Sequence, residues 1–269
     1  MEKIKKGDIV ARKSYGCDIL FFVDKIINSS NGTTIAILKG ITIRIIADAS
    51  LEDLLIIDNN LLEDNLIRLD SKLENRILIK KNKIKDRYQN SLKNGKVLHL
   101  DGDKKYADKS NRYYKKVGIN AIVRNIPEFK QPSIIKDLLL KYRPDILIIT
   151  GHDGMIKSGM NYGDINNYRN SKYFIQSVVE ARKLRPSNND LAIFAGACQS
   201  FFEAIMASGA NFASSPARIL IDFMDPLILA EKIATTSKNK FITINDIAND
   251  LRDGKKSIDG IGTMGKKLL

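Results

Sequence analysis

Residues 145–154 read DILIITGHDG, and this stretch decides the fold. Four consecutive Ile and Leu residues run into a threonine and then into a Gly-His-Asp-Gly turn. An apolar run of this length between polar turns is typical of a strand that is buried on both faces. The stretch therefore predicts a parallel sheet covered by helices, with a histidine in the loop beyond the carboxyl end of one strand.

Apolar segments of strand length recur on both sides of this stretch. They cover residues 96–101, 120–126, 191–197 and 210–215. Segments of helix length separate them, and we predict one long helix that ends at Arg185 and a short one from about Gln199 to Ser208. This alternation favours an α/β fold, in which ligands and catalytic groups collect in the loops beyond the carboxyl ends of the strands.

The chain before this region has a different pattern. Short β segments separated by Gly, Ser and Asn turns fill residues 1–58, and their spacing predicts a small SH3-like β-barrel domain. Residues 59–94 contain neither Pro nor Gly and indicate a basic helical linker, because Leu and Ile recur at intervals of three and four. Those apolar positions are Leu62, Leu66, Leu69, Leu73 and Ile77. Residues 95–269 then form the α/β domain.

The composition limits the class of protein. The 269 residues include 44 Lys and Arg against 31 Asp and Glu, and the formal net charge of +13 predicts attraction to polyanions or to acidic protein surfaces without choosing between them. Two cysteines are too few for a disulfide-stapled secreted domain, and neither has a spacing typical of structural zinc. No apolar run approaches the length of a membrane span. We therefore expect a soluble cytoplasmic protein with no membrane contact and no cofactor.

One histidine and one cysteine follow two successive predicted strands. His152 comes just after residues 145–150, and Cys198 directly follows residues 191–197. Adjacent parallel strands lie about 5 Å apart, so the two side chains could approach each other. A neighbouring histidine, and the positive end of the helix that Cys198 is predicted to open, would make the thiolate accessible near neutral pH. A cysteine in an apolar run is by itself usually a small buried hydrophobe, but the joint placement favours a catalytic pair.

The other histidine and the other cysteine have ordinary structural interpretations. His99 is flanked by leucines in KVLHLD and is expected to be a core histidine whose ring nitrogens are hydrogen-bonded. Cys17, in the turn SYGCD, has no histidine in its segment and is interpreted as structural.

Four blocks of the sequence resemble a known family. They are GDIVARKSYGCDILF (7–21), GKVLHLDGD (95–103), YRPDILIITGHD (142–153) and FAGACQSFFEAIMASGANFASSP (194–216). These blocks are similar to the sporulation-specific peptidase family YabG, and the order of histidine and cysteine at successive strand ends is similar to the caspase-like cysteine peptidases, the clan of legumain, gingipain and separase. The resemblance implies a caspase-like α/β sandwich and a protease that processes spore coat or cortex-processing proteins, on the mother-cell side of a sporulating cell or associated with the spore coat.

The resemblance also implies roles for individual residues. Cys198 would be the nucleophile and His152 the general acid and base. The clan usually places glycine directly after the histidine as an oxyanion-hole donor, whereas this chain has Asp153 and then Gly154, so either backbone N–H could serve. The second donor would be the N–H of Cys198.

Asp101 and Asp103 are candidates for binding substrate. The resemblance places the pocket for the residue before the scissile bond near the end of the first strand, where this chain reads LDGD. A carboxylate there could hold an arginine guanidinium by two parallel hydrogen bonds, which predicts cleavage after arginine. The alternative is a turn with an Asx cap, which is nearly as good an interpretation of Asp103. Asp164 is a weaker candidate because YGDINNY also resembles the start of a helix.

A second class of function remains open at this stage. The barrel and the basic helix could bind RNA or an anionic assembly, with the α/β region as a non-catalytic platform. The basic stretch around residues 73–90 has a single aromatic residue, Tyr88, so stacking on bases has little support and nucleic acid is not the expected partner. A nucleotide-binding domain lacks both phosphate-loop and dinucleotide glycine motifs. The sequence leaves the oligomeric state undetermined.

Overall fold

The computed structural model describes residues 3–28, 34–84, 94–156 and 161–268. The N-terminal part is one antiparallel sheet with the strand order β4-β3-β2-β1-β5. Its strands are β1 Ile9–Arg12, β2 Leu20–Asn28, β3 Thr34–Gly40, β4 Ile46–Ser50 and β5 Leu54–Ile56. Each β segment expected from the sequence contains one of these strands. Among the described residues β4 and β5 do not pair with each other, so closure into an SH3-like barrel stays a prediction.

Helix α1, Asn59–Ile84, follows this sheet and confirms the helical periodicity over those residues. Its first turns pack against the N-terminal sheet through Leu62 and Leu66. Further along, Leu69, Leu73 and Ile77 are buried in the main core. The helix therefore contacts both parts of the protein. Residues 85–93 of the expected linker, which include Tyr88, lie outside the described residues.

The main sheet has six strands in the order β12-β10-β9-β8-β6-β7. The strands are β6 Val97–Asp101, β7 Ala121–Asn125, β8 Ile146–Thr150, β9 Ala192–Ala195, β10 Phe212–Ser214 and β12 Ile258–Gly260. Strands β6 to β10 are parallel to one another, and only β12, at one edge, is antiparallel to its neighbour. The five predicted strands and their parallel arrangement are confirmed. Strands β8 and β9 are neighbours, as the placement of His152 and Cys198 requires.

Helices cover both faces of this sheet. They are α2 Lys104–Lys116, α3 Gln131–Tyr142, α4 Ser171–Leu184, α5 Phe202–Ala207 and α6 Asp225–Thr235. Along β8, Ile146 and Ile148 belong to the core formed with α1, α2 and α6. Leu147 and Ile149 point to the opposite core, formed with α3, α4 and α5. This alternation explains why the β8 sequence is apolar at each of these positions. A short pair, β11 Phe241–Ile242 and β13 Thr263–Met264, completes the described strands.

The two predicted helices are present and end where expected, but both begin later. The long helix that ends near Arg185 begins only at Ser171, and a short 3-10 helix, Ile165–Asn167, precedes it. The short helix begins at Phe202 rather than at Gln199, because Gln199 lies in a turn with a left-handed backbone (φ 55°) that an α-helix cannot include. Cys198 therefore lies outside that helix.

The two sheets meet at the carboxyl end of β8. Ile45, just before β4, forms a parallel bridge with Asp153. The N–H of Asp153 donates to the carbonyl oxygen of Arg44 at 3.3 Å, and the N–H of Ile46 donates to the carbonyl oxygen of Asp153 at 2.8 Å. The N-terminal sheet thus covers the edge at which His152 lies. Within the described ranges no helix has the length and apolar character needed to cross a membrane.

Candidate active site

Cys198 lies just beyond β9 and is fully buried, at 0% exposure. It belongs to an apolar cluster whose other members come largely from the N-terminal sheet, among them Val10, Phe21, Leu38 and Ile45. Its sulfur is 3.9 Å from the carbonyl oxygen of Ile221. Burial raises the pKa of the thiol to about 12, against smaller opposing effects from the backbones of Ile221 and Arg44 and from the positive charge of Arg44. Burial opposes a thiolate in this conformation, and the predicted helix start is not at Cys198, because α5 begins only at Phe202.

His152 lies beyond β8 and is 2% exposed. Its Nε2 is 3.2 Å from the carbonyl oxygen of Gly40, the last residue of β3. A proton on Nε2 can donate to that carbonyl, which leaves Nδ1 as the basic nitrogen. Nδ1 lies 4.0 Å from Oδ2 of Asp103, and the ring packs edge-to-face on Tyr106 with centroids 5.9 Å apart. No hydrogen bond between His152 and Cys198 is formed in the part of the chain that the structure describes.

Glu128 fixes the backbone of His152. Its Oε1 accepts a hydrogen bond from the His152 N–H at 2.7 Å, and Asn170 donates to the His152 carbonyl at 2.8 Å. Gly151 and Gly102 make room for this carboxylate, since a Cβ on either glycine would lie within 2.3 Å of Oε1. The loop after β8 is therefore held from both sides.

Asp153 is the centre of a buried hydrogen-bond network. Its carboxylate accepts from the N–H groups of Gly154 and Asn170 and from the hydroxyls of Ser171 and Ser200. Burial raises the pKa of this carboxyl group, although those hydrogen bonds oppose the shift. Of the two candidate oxyanion donors, the N–H of Asp153 faces the carbonyl of Arg44, whereas the N–H of Gly154 bonds to the side chain of Asp153.

Asp101 lies at the end of β6 and is fully buried. Its Oδ2 is 2.6 Å from Nη2 of Arg44 and 2.9 Å from the hydroxyl of Thr150. Arg44 is itself 1% exposed and lies over the ring of Tyr106, 4.7 Å from its centroid. The carboxylate predicted to bind a substrate arginine thus holds an arginine of the same chain.

Asp103 caps the N-terminus of α2. Its Oδ1 accepts from the N–H of Lys105 at 2.8 Å, so the Asx-cap interpretation describes this oxygen. Its other oxygen faces His152, as described above. Asp103 and Asp101 are joined by a hydrogen bond from the Asp103 N–H to Asp101 Oδ1, at 2.9 Å.

The remaining candidates have structural roles. His99 is buried, with Nδ1 3.2 Å from the hydroxyl of Tyr114 and Nε2 2.8 Å from that of Thr150, which confirms the core interpretation. Burial lowers its pKa well below the ordinary value, and the charge of Arg44 adds to the effect. Asp164 caps the 3-10 helix Ile165–Asn167, which confirms a helix start. Cys17 is half-buried in the turn between β1 and β2.

Sequence reasoning missed three residues that contact this site: Gly40, Arg44 and Glu128. A signal existed for Arg44, which is the one charged residue in the apolar run ITIRIIA, residues 41–47. A cation inside such a run needs a partner when the run is buried. Gly40 acts through its carbonyl oxygen, which no side-chain pattern can reveal. Glu128 follows a proline at a strand end, where it resembles any exposed turn residue.

The chain is similar to known peptidases over nearly its whole length. A family profile described as YabG peptidase U57 matches residues 5–268. The sporulation-specific protease YabG of Bacillus subtilis (strain 168) is 40% identical over 274 residues, which cover 96% of this chain and 94% of that protein. No solved structure matches this chain. The similarity therefore includes both the N-terminal sheet and the main sheet.

Proposed function

Because this chain belongs to the YabG peptidase family, we propose that it is a sporulation-specific cysteine endopeptidase with Cys198 as nucleophile and His152 as general acid and base. The observation that carries the proposal is the position of Arg44. Its carbonyl accepts from the N–H of Asp153, its guanidinium pairs with Asp101, and its backbone lies close enough to the Cys198 thiol to influence the thiol pKa, which burial dominates. The chain's own Arg44 thus lies against the residues proposed as nucleophile, oxyanion-hole donor and pocket, which supports a pocket that takes arginine.

The proposed reaction begins with transfer of the Cys198 proton to Nδ1 of His152. The thiolate then attacks the carbonyl carbon of the residue before the scissile bond, and His152 returns the proton to the leaving amine. The resulting acyl-enzyme is hydrolysed by a water molecule that His152 deprotonates. The carbonyl of Gly40 supports this role because it holds the proton of Nε2.

We assign the oxyanion hole to the N–H groups of Asp153 and Cys198. The bond from the Asp153 N–H to the carbonyl of Arg44 supports this choice, because the negative charge develops on a carbonyl oxygen in that position. Gly154 is the weaker of the two candidates because its N–H is engaged with the side chain of Asp153.

Cleavage after arginine follows from the charge of the pocket. Asp101 offers a buried carboxylate, which can hold a guanidinium in a geometry that lysine cannot match. Asp103 lies beside it and would contribute negative charge at the rim of the pocket. The natural substrates proposed from the family are spore coat or cortex-processing proteins, on the mother-cell side of the sporulating cell or in the coat.

The fold supports the same proposal. A parallel sheet that delivers a histidine and a cysteine from neighbouring strands is the arrangement expected of a caspase-like peptidase. The antiparallel pairing of the five N-terminal strands supports the proposal of an SH3-like module. The alternative of a non-catalytic RNA-binding protein gains no support, since both matched names are those of peptidases.

A peptide series tests the proposal. We expect the purified protein to cleave a peptide after arginine, more slowly after lysine, and hardly at all when leucine or aspartate precedes the bond. Cys198→Ala and His152→Ala should each abolish cleavage, and the double variant should be no worse than either, because the two residues act as a unit. Cys17→Ser is the matched control and should retain activity. Full activity in a folded Cys198→Ala variant would refute the cysteine mechanism.

A further inference from the structure

Residues 43–46, which we call the Arg44 segment, run through the proposed cleft as a peptide substrate would. The Arg44 segment binds the chain beyond His152 through two backbone hydrogen bonds, from Asp153 to the carbonyl of Arg44 and from Ile46 to the carbonyl of Asp153. The pairing is parallel and is centred on Ile45. An extended segment that adds to a sheet edge in this way is a common mode of peptide recognition.

We propose that the Arg44 segment is an internal inhibitor: it occupies the substrate-binding cleft, and another polypeptide can bind only after this segment has left. The inference rests on the proposed function, since it takes Cys198, His152 and Asp101 as the peptidase site. It adds a self-inhibited state and names the part of the chain that creates it.

The side chain of Arg44 occupies the proposed pocket, so an arginine of a substrate cannot enter it. Its Nη2 bonds to Asp101 and its guanidinium lies on Tyr106. Its Nε and Nη1 are buried without a hydrogen-bond partner among the described residues. Buried donors without partners disfavour the bound state. The Arg44 guanidinium therefore has one charged hydrogen bond, while two of its nitrogens lack partners among the described residues. The missing hydrogen bonds lower the cost of releasing the segment.

The same segment helps to close the site to solvent, together with apolar side chains of the N-terminal sheet. Cys198 is 0% exposed and His152 is 2% exposed, so neither can meet a second polypeptide in this conformation. Ile45 contributes directly to the apolar cluster around Cys198. Among the described residues no hydrogen bond joins His152 to Cys198 in this state, so the proposed base is not engaged with the thiol, and burial further disfavours the thiolate.

A fixed structural ion pair is the competing explanation for Arg44. A fixed ion pair would also bury Arg44 against Asp101, but in that case the segment would stay in place and would not leave to admit substrate. The two explanations differ in what happens to the thiol when the segment is loosened, and that can be measured without peptidase activity.

Two variants loosen the segment by different means. Arg44→Ala removes the contact with Asp101. Ile46→Pro keeps Arg44 and removes the N–H that binds Asp153; this N–H donates to the carbonyl of Asp153 and not to β3, and proline is tolerated at such a position of an edge strand. Arg12→Ala is the matched control, since Arg12 lies in the same sheet but packs on Tyr15 and Phe21.

Each variant is made in a Cys17→Ser background, so that Cys198 is the one cysteine left. Intact mass spectrometry measures the rate of Cys198 labelling by iodoacetamide. Hydrolysis of a short arginyl peptide is measured in parallel. We expect labelling and kcat/KM to rise between about 10-fold and about 100-fold in Arg44→Ala and Ile46→Pro, as when a state populated at roughly 1–10% becomes dominant. Arg12→Ala should match the parent.

Unchanged labelling in folded Arg44→Ala and Ile46→Pro would overturn the inhibitor assignment. So would slow labelling in an Arg44→Ala variant that loses both thermal stability and activity, since this outcome identifies a fixed ion pair. If Arg44→Ala does not fold, Ile46→Pro decides the question alone. Faster labelling with no peptide cleavage in any variant would support shielding of Cys198 by the Arg44 segment, but it would refute the peptidase function and with it the inhibitor assignment.

Discussion

At the scale of single residues, Cys198 shows how burial decides chemistry. The thiol is surrounded by apolar side chains from the N-terminal sheet, and desolvation disfavours its charged form. The sequence placed a histidine and a cysteine on neighbouring strand ends, which the main sheet bears out. The sequence did not reveal that the N-terminal sheet covers both His152 and Cys198. Such a contact depends on tertiary packing and leaves no periodic pattern in the sequence.

The raised pKa of Cys198 predicts a pH-dependent loss of stability. The folded-state pKa of about 12 lies above the unfolded value of 9.0, so the unfolded state loses its proton first and the folded state is disfavoured as pH rises through this window. Between pH 7 and pH 10 we expect the free energy of unfolding to fall by about 1 kcal/mol more in the wild type than in Cys198→Ala. Denaturant unfolding at both pH values measures this. Cys17→Ala should follow the wild-type curve; equal losses in wild type and Cys198→Ala would contradict the assignment.

At the scale of elements, the loop after β8 is positioned by Glu128 from the segment between β7 and α3. The apolar strand before this loop was predictable, because its pattern is continuous from Ile146 to Ile149. The loop itself was not predictable in this way, because the carboxylate of Asp153 accepts from the adjacent Gly154 and also from Asn170 and Ser171, which lie 17 and 18 residues further along the chain. Side-chain networks of this kind override local propensity.

Gly151→Ala tests the positioning role of Glu128. A Cβ at this position would lie 2.3 Å from Oε1, so the carboxylate must move and its bond to the His152 N–H is lost. We expect kcat for the arginyl peptide to fall roughly 10- to 100-fold, as small misplacements of a catalytic group do. Gly163→Ala is the control, because among the described residues its Cβ would meet only the side chain of Asn161.

Glu128→Gln and Glu128→Ala test the same hydrogen bond between Glu128 and the His152 N–H. An amide oxygen still accepts the His152 N–H, so Glu128→Gln should retain most of the activity while Glu128→Ala should not. Equal kcat in Gly151→Ala and Gly163→Ala would show that the orientation of His152 does not depend on Glu128.

At the scale of the whole molecule, the N-terminal sheet is part of the proposed active-site region. It supplies the carbonyl of Gly40 to His152, the guanidinium of Arg44 to Asp101, and apolar side chains around Cys198. The sequence suggested domains at residues 1–58, 59–94 and 95–269, and these boundaries stay predictions. Composition and periodicity separate such regions well, but they carry no information about which surfaces of two regions will meet.

Removal of residues 1–58 should therefore damage the rest of the chain. The deletion would expose the apolar surface around Cys198 and Ile221 and leave Asp101 without its cation. We expect the truncated protein to lose cooperative unfolding or to aggregate, and to cleave neither a protein nor a short arginyl peptide. Calorimetry and light scattering measure the first effect, and peptide hydrolysis measures the second. A truncated protein that unfolds cooperatively and cleaves the peptide at the wild-type rate would show that the main sheet is complete without the N-terminal one. That result would also show that His152 acts as a base without its contact to the carbonyl oxygen of Gly40, which the deletion removes.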